Sequence, residues 1–214
     1  MQGICYIIGA YHGEDDSIFP VSADFVIAAD GGYEALNRLG VKADLVVGDF
    51  DSLGYVPTGA DIVQHPVRKD DTDTLLAIRL GLERGYSNFV ITGALGGRLD
   101  HTFANLQALL FLRDHGARGI LYGDGTVVTA VTNGSITING QGTLSVFTMD
   151  ATAEGVTLKD VSFPTERVTL TNGFPIGVSN EFIGKPATIS VEKGTLLVMS
   201  QAEKEVLPDI VKML

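Results

Sequence analysis

The chain of 214 residues has one cysteine, no tryptophan and only four histidines, scattered without metal-ligand spacing. A single cysteine excludes an internal disulfide. Cys5, set among Ile4, Tyr6, Ile7 and Ile8, reads as a buried thiol and not as a nucleophile. The histidine pattern argues against zinc. No apolar run approaches the length of a membrane span. The opening MQGICYIIGAYHGEDD carries no basic residue ahead of its short apolar stretch, so it reads as a first buried strand and not as a secretory signal; a cytoplasmic location is expected. Basic residues are scarce as well, 15 Lys and Arg against 26 Asp and Glu, for a net charge of −11. Nucleic-acid binding is driven by cations that release counterions, so this balance argues against it.

What is present divides the chain in two. Through Asp124, short apolar runs (ICYIIG, FVIAAD, DLVVGD, DIVQHP, NFVITG, RGILYG) read as strands, with helical stretches between several of them. The clearest helices are Gly31 to Leu39, Asp71 to Arg84 and His101 to His115, the last with Phe103, Leu106 and Leu110 as its expected apolar stripe. Strands that are apolar nearly throughout suit a mainly parallel sheet with helices on both faces. From about Gly125 the period falls to two, in SITING, TLSVFTM, GVTLKD, RVTLTNG and TISVEKGTLLVM, the signature of an all-β sandwich or barrel-like domain. The expected boundary separates residues 1–125 from 126–214. Of the 17 aspartates, 14 precede residue 126, so the acid belongs to the first half.

In a parallel sheet the ligand crevice lies beyond the carboxyl ends of the strands, and the unusual residues sit there. Asp30 ends FVIAAD; Asp49 and Asp51 follow DLVVG; Asp70, Asp71 and Asp73 crowd the mouth of a helix in KDDTD; ITGALGGRLDH carries Arg98 and Asp100 in a glycine-rich turn. One aspartate at a helix N-terminus is an ordinary cap. Three in four positions are not, because each close like-charge pair costs on the order of 4 kcal/mol at an effective dielectric near 20. If Asp49, Asp51, Asp71, Asp73 and Asp100 converge, a cation is needed among them, and oxygen-only ligands shared with phosphate select Mg²⁺. The glycines let backbone N–H groups approach an anion, while Arg98, Arg68 and Lys69 are candidate phosphate ligands. These parts together point to phosphoryl-type transfer from a nucleotide.

In this order, DGG (Asp30 to Gly32), GDFDS (Gly48 to Ser52), KDDTD (Lys69 to Asp73) and GGRLDH (Gly96 to His101) resemble the thiamine pyrophosphokinase family; GVTLKDVSFP, LTNG and GVSNEF (Gly177 to Phe182) are similar to its second domain. The resemblance implies an α/β nucleotide- and metal-binding catalytic domain followed by a β-sandwich thiamine-binding domain. It also implies a homodimer using ATP, thiamine and Mg²⁺ to make thiamine diphosphate and AMP. Carried onto this chain, it implies Asp49, Asp51, Asp71, Asp73 and Asp100 around the metal. Asp30, Gly31, Lys69, Gly96, Gly97 and Arg98 would bind ATP and its phosphates, Asp71, Asp73 and Asp100 would be the catalytic acids, and Ser179 and Asn180 would contact thiamine. The general base is Asp71 or Asp100 by position. Some family members stack thiamine on a tryptophan; here Phe163, Phe174 or Phe182 would supply the face.

Two alternatives stand beside this reading. DFDS after an apolar strand is shared with enzymes that form an aspartyl-phosphate, a phosphotransferase or phosphatase, but that reading leaves KDDTD and GGRLDH unexplained. A non-catalytic nucleotide or thiamine sensor would not require so many carboxylates.

Overall fold

The structure is a computed structural model that describes residues 3–11, 20–50, 54–55, 57, 59–64 and 71–202. It divides into two compact units, Met1–Asp124 and Gly125–Leu214. Among the described residues no helix is long and apolar enough to cross a membrane.

The first unit contains β1 (Cys5–Ile8), β2 (Phe25–Ala29), α1 (Gly32–Leu39), β3 (Leu45–Gly48), β4 (Asp61–Gln64), α2 (Asp73–Glu83), β5 (Asn88–Thr92), α3 (Leu99–Asp114) and β6 (Arg118–Gly123). The strands lie in the order β6-β5-β1-β2-β3-β4, and every pair among them is parallel. β1 is buried along its whole length and β5 from its second residue on, as continuous apolar runs demand when helices cover both faces. β4 is largely exposed because it is the edge. α1 links β2 to β3, whereas α2 and α3 lead the other way along the sheet, to β5 and β6, and pack together.

Local chemistry sets the helix ends. Gly40 closes α1 in the left-handed conformation at φ 68°, its N–H reaching back to Leu36 and Asn37. Thr72 caps α2, its Oγ1 accepting from the N–H of Leu75 at 3.2 Å. The cap leaves Asp71 just outside the helix and Asp73 as its first residue. α3 corrects the expected apolar stripe: Asn105, Ala108, Leu109 and Leu112 face the core, whereas Phe103 is 53% exposed and Leu106 and Leu110 are half-buried. This helix is apolar on nearly every side, so periodicity alone does not pick the buried face.

The second unit is antiparallel throughout: β7 (Thr126–Ile138), β8 (Thr143–Thr148), β9 (Thr152–Lys159), β10 (Thr165–Thr171), β11 (Asn180–Glu181) and β12 (Ala187–Gln201). β12 runs along the full length of β7, while its other edge is shared, β9 taking Thr188–Lys193 and β8 taking Leu196–Ser200. The change of partner falls at a bulge. Gly194 stands there at φ 106°, its N–H donating to Asn133 Oδ1 at 2.9 Å, and Asn133 is itself left-handed at φ 46°. The bend folds the strands over a core that includes Val131, Leu144, Val146, Val156, Ile189 and Leu196. An α/β unit followed by an all-β unit is the fold class read from the sequence.

Candidate active site

β1 leads to β2 on one side and β5 leads to β6 on the other, so the carboxyl ends of β1 and β5 form the topological switch point of the sheet. A cavity of about 420 Å³ opens there. Ala10 and Tyr11 line it from the end of β1, Asp30 from β2, Thr72, Asp73 and Thr74 from the mouth of α2, and Gly93 through Arg98 (Leu95 excepted) from the turn after β5. His101 and Asn105 of α3 complete the wall.

The backbone brings these groups together. Asp30 sits at φ 49°, its N–H still donating to Val47 O at 2.7 Å, so the chain turns sharply while remaining tied to the sheet. At Gly32 an added Cβ would fall 1.9 Å from Ile8 O, so the glycine is what lets α1 start directly against the end of β1. Gly96 and Gly97 both have positive φ, and a Cβ at either would collide with the ring of Tyr11, at 2.4 and 2.7 Å. The turn is held from α3: Thr102 Oγ1 donates to Gly96 O at 3.0 Å, and the buried Asn105 donates through Nδ2 to Ala94 O at 2.8 Å. Tyr11 in turn reaches Asp124 Oδ2 through its hydroxyl at 3.4 Å.

Of the residues expected at the site, Asp30, Asp73, Gly96, Gly97 and Arg98 share this cavity. Gly31 adjoins it, 3.2 Å from Ala10 Cβ if given a Cβ of its own. Asp51, Arg68, Lys69 and Asp70 lie outside the described residues. Asp49, Asp71 and Asp100 are described but do not line the cavity. Arginines hold two of them elsewhere. Asp71 Oδ2 meets Arg79 Nε at 2.8 Å, and Asp100 receives Nε and Nη2 of Arg98 at 3.2 and 2.7 Å, plus the N–H of His101 at 3.0 Å. Hydrogen bonding by Arg98 keeps the Asp100 carboxyl below its ordinary range and raises the guanidinium above its own. Asp49 is half-buried beside Phe50, whose buried ring anchors a left-handed turn at φ 62°. Among the described residues no group of three or more His, Cys, Asp or Glu is disposed to hold a metal ion.

In the second unit, Ser179 is exposed and left-handed at φ 62°, its N–H donating to Ser145 Oγ at 3.1 Å. Asn180 is only 7% exposed, and its amide is already engaged. Oδ1 accepts from the N–H groups of Phe163 and Glu181, and Nδ2 donates to Phe163 O at 2.7 Å. Asn180 therefore clips the Phe163 loop in place. Phe163, Phe174, Ile176, Val178 and Ile183 are exposed apolar residues near it in the chain, while Phe182 is half-buried against the core. Tyr11, Thr102 and Asn105 gave no signal in the sequence, because their roles arise from contacts between distant segments.

The chain is thus a doubly wound unit with a cavity at its switch point, lined by Asp30, Asp73 and Arg98, followed in sequence by an antiparallel unit. Residues 19–121 match the family described as thiamin pyrophosphokinase, catalytic domain, and residues 135–196 match thiamin pyrophosphokinase, vitamin B1 binding domain. The chain belongs to the thiamin pyrophosphokinase family, and it is an enzyme of that class. It is 27% identical over 177 residues to thiamin pyrophosphokinase 1 of Caenorhabditis elegans, covering 74% of this chain and 72% of that one. Against thiamine pyrophosphokinase of Bacillus subtilis the identity is 25% over 186 residues, covering 83% and 87%. The crystal structure of a thiamin pyrophosphokinase family protein from Enterococcus faecalis superposes with a TM-score of 0.81 at 27% identity, covering 94% of this chain and all of that one. Neither the aspartyl-phosphate enzyme nor the non-catalytic sensor gains support from these relatives.

Proposed function

We propose that the protein transfers the terminal pyrophosphoryl group of ATP, as its Mg²⁺ complex, to the primary hydroxyl of thiamine, yielding thiamine diphosphate and AMP. The observation that carries this reading is the cavity at the switch point, where Asp30, Asp73, Arg98 and a glycine-rich turn meet in a chain whose residues 19–121 and 135–196 match one family's two domains.

In this reaction the thiamine oxygen forms a bond to the β-phosphorus. The bond from that phosphorus to the bridging oxygen of AMP breaks, its electron pair leaving with AMP, and the hydroxyl proton passes to a carboxylate. Catalysis of this kind is mainly positioning and charge neutralisation. Backbone N–H groups of the turn at Gly96 and Gly97, with the Arg98 guanidinium and Lys69, bind phosphate oxygens. Asp30 and Gly31 complete the nucleotide side. The donor set suits Mg²⁺: Asp30 and Asp73 offer hard oxygens in the cavity, with no sulfur or imidazole pair competing. As the family resemblance implies, Asp49, Asp51, Asp71 and Asp100 would join Asp73 in holding the ion, which would supply neutralisation of the phosphate charge. The proton acceptor is Asp71 or Asp100.

Thiamine is bound by the second unit through Ser179 and the loop braced by Asn180, with Phe163 or Phe174 offering an exposed aromatic face in place of tryptophan. The enzyme works as a cytoplasmic homodimer and takes no nucleic acid or membrane as partner, in keeping with its acidic charge.

Phosphorus NMR of a mixture with ATP, Mg²⁺ and thiamine tests the reading. AMP together with a thiamine-linked diphosphate is the expected result; ADP or free phosphate, or no turnover at all, overturns it.

A further inference from the structure

Two consecutive glycines make a mobile turn unless something holds them, because glycine has the most backbone freedom to lose. Gly96 and Gly97, at φ 88° and 64°, form the part of the cavity wall that leads to Arg98. From α3 this turn is held through Thr102 and Asn105. On another side it meets Tyr11, which lines the same cavity.

The backbone of Tyr11 is placed by the sheet. Beyond the ends of β1 and β5 the pairing continues, the Gly9 N–H donating to Thr92 O at 2.8 Å and the Tyr11 N–H to Gly93 O at 3.1 Å. The two segments run so close that a Cβ on Gly93 would fall 2.6 Å from Gly9 O and 2.7 Å from Tyr11 O. From this fixed base the ring spans both glycines of the turn. A Cβ on Gly96 would lie 2.4 Å from Cε1 and one on Gly97 would lie 2.7 Å from Cδ2, atoms at opposite corners of the ring. The hydroxyl stands 3.4 Å from Asp124 Oδ2, long for a bond of this type, so the ring makes the closer contacts.

We propose that Tyr11 is a positioning residue that holds the Gly96–Gly97 turn in its phosphate-binding shape before the nucleotide arrives. The ring supplies no charge. It removes backbone freedom that the ligand would otherwise have to remove on binding. The inference deepens the reading above and rests on it, since there the N–H groups of this turn bind phosphate oxygens. Tyr11 is 38% exposed and lies outside the core, so its loss should leave the fold intact.

The test uses the full-length protein and its variants Tyr11→Phe, Tyr11→Leu and Tyr11→Ala. Amide relaxation gives the order parameters of Gly96 and Gly97 without ligand. Calorimetry gives the Kd of the Mg²⁺ complex of α,β-methylene-ATP, in which carbon replaces the oxygen at the bond to be broken. The wild type and Tyr11→Phe should show order parameters of rigid backbone, about 0.85, and Tyr11→Ala those of a flexible loop, below about 0.6. Kd should rise about tenfold in Tyr11→Ala, the cost of fixing roughly one residue's backbone, and hold its wild-type value in Tyr11→Phe. KM for ATP should follow Kd, and KM for thiamine should not. Tyr11→Leu, with bulk but no flat ring, should fall between, and it carries the comparison if Tyr11→Ala does not fold. An affinity that falls while both glycines stay rigid would mean that the ring touches the nucleotide, and the inference is overturned. It is overturned equally if the glycines loosen without a change in Kd, if Tyr11→Ala matches the wild type in both, or if Tyr11→Phe loses as much as Tyr11→Ala. If the wild type does not bind the analogue, the functional reading fails instead; the relaxation data still report whether the ring holds the turn, so the two failures are distinguishable.

Discussion

The two units handle polar groups in opposite ways. In the first, both faces of the parallel sheet are buried, so polar side chains with freedom to act are confined to the strand ends, and the cavity gathers there. In the second, the loops around β10 and β11 expose Phe163, Phe174, Ile176, Val178 and Ile183 while a buried amide, Asn180, works from beneath. One unit presents charge on an apolar frame; the other presents apolar surface on a polar clip. The difference suits a donor made of phosphates and an acceptor made of flat rings.

Five experiments would break or sharpen that contrast, beginning with the largest effect. Asp73→Asn removes one of the carboxylates that line the cavity, and loss of one such electrostatic group costs about 10²- to 10³-fold in kcat. Its melting temperature should change only modestly, since a half-buried first-turn acid contributes about 0.3–2 kcal/mol to a helix. Kinetics and calorimetry on one preparation check both halves, and a variant that loses stability in proportion to activity would erase the distinction between frame and charge.

Asn180→Ala should do the reverse. It leaves both backbone groups of Phe163 without their buried partner, at a cost of about 2 kcal/mol in denaturant unfolding. KM for thiamine should rise several-fold while KM for ATP stays at its wild-type value. A rise in both would mean that the second unit also serves the nucleotide. Asn105→Ala is the matching probe in the first unit: it frees Ala94 O, loosens the turn around Gly96, and should raise KM for ATP and not that for thiamine.

A smaller effect concerns the Arg98–Asp100 pair. The fold depresses the Asp100 carboxyl, so the pair is complete above the ordinary carboxylate value of 3.8 and is lost only as pH falls through the lowered value. The Arg98 Nε–H resonance should therefore hold its position from neutral pH down to about 5. Movement in that window would show the pair to be broken in solution.

The smallest effect is an expected silence. Burial pushes the Cys5 thiol from 9.0 up to about 12, so it stays protonated at pH 8, and alkylation should follow unfolding and not precede it. By the same shift, its contribution to stability is present below about pH 9 and lost as pH climbs toward 12. Mass spectrometry after iodoacetamide treatment, with and without denaturant, reads this directly.

Much of this was legible in the primary structure because it is local. Apolar runs such as CYII and NFVIT become strands wherever they are buried, and Thr72 caps α2 through a bond to a residue three positions away. The failures are instructive for the same reason. The stripe Phe103, Leu106 and Leu110 looked like a core face, yet α3 buries Ala108, Leu109 and Leu112, since a helix apolar all round takes its orientation from the sheet. Asn180, expected to contact thiamine, also has a structural task that its position in the chain does not show, bonding the backbone of Phe163.

By itself the sequence determined the two-unit order, the strand and helix types and the placing of acids and glycines at strand ends, because period, capping and turn chemistry act over a few residues. Only the tertiary structure decided which of those acids share a cavity. Asp71 and Asp100 lie within two residues of groups that line it, but ion pairs with Arg79 and Arg98 hold them aside. Such partners are chosen by where helices dock and where a guanidinium can reach, and spacing along the chain does not encode that.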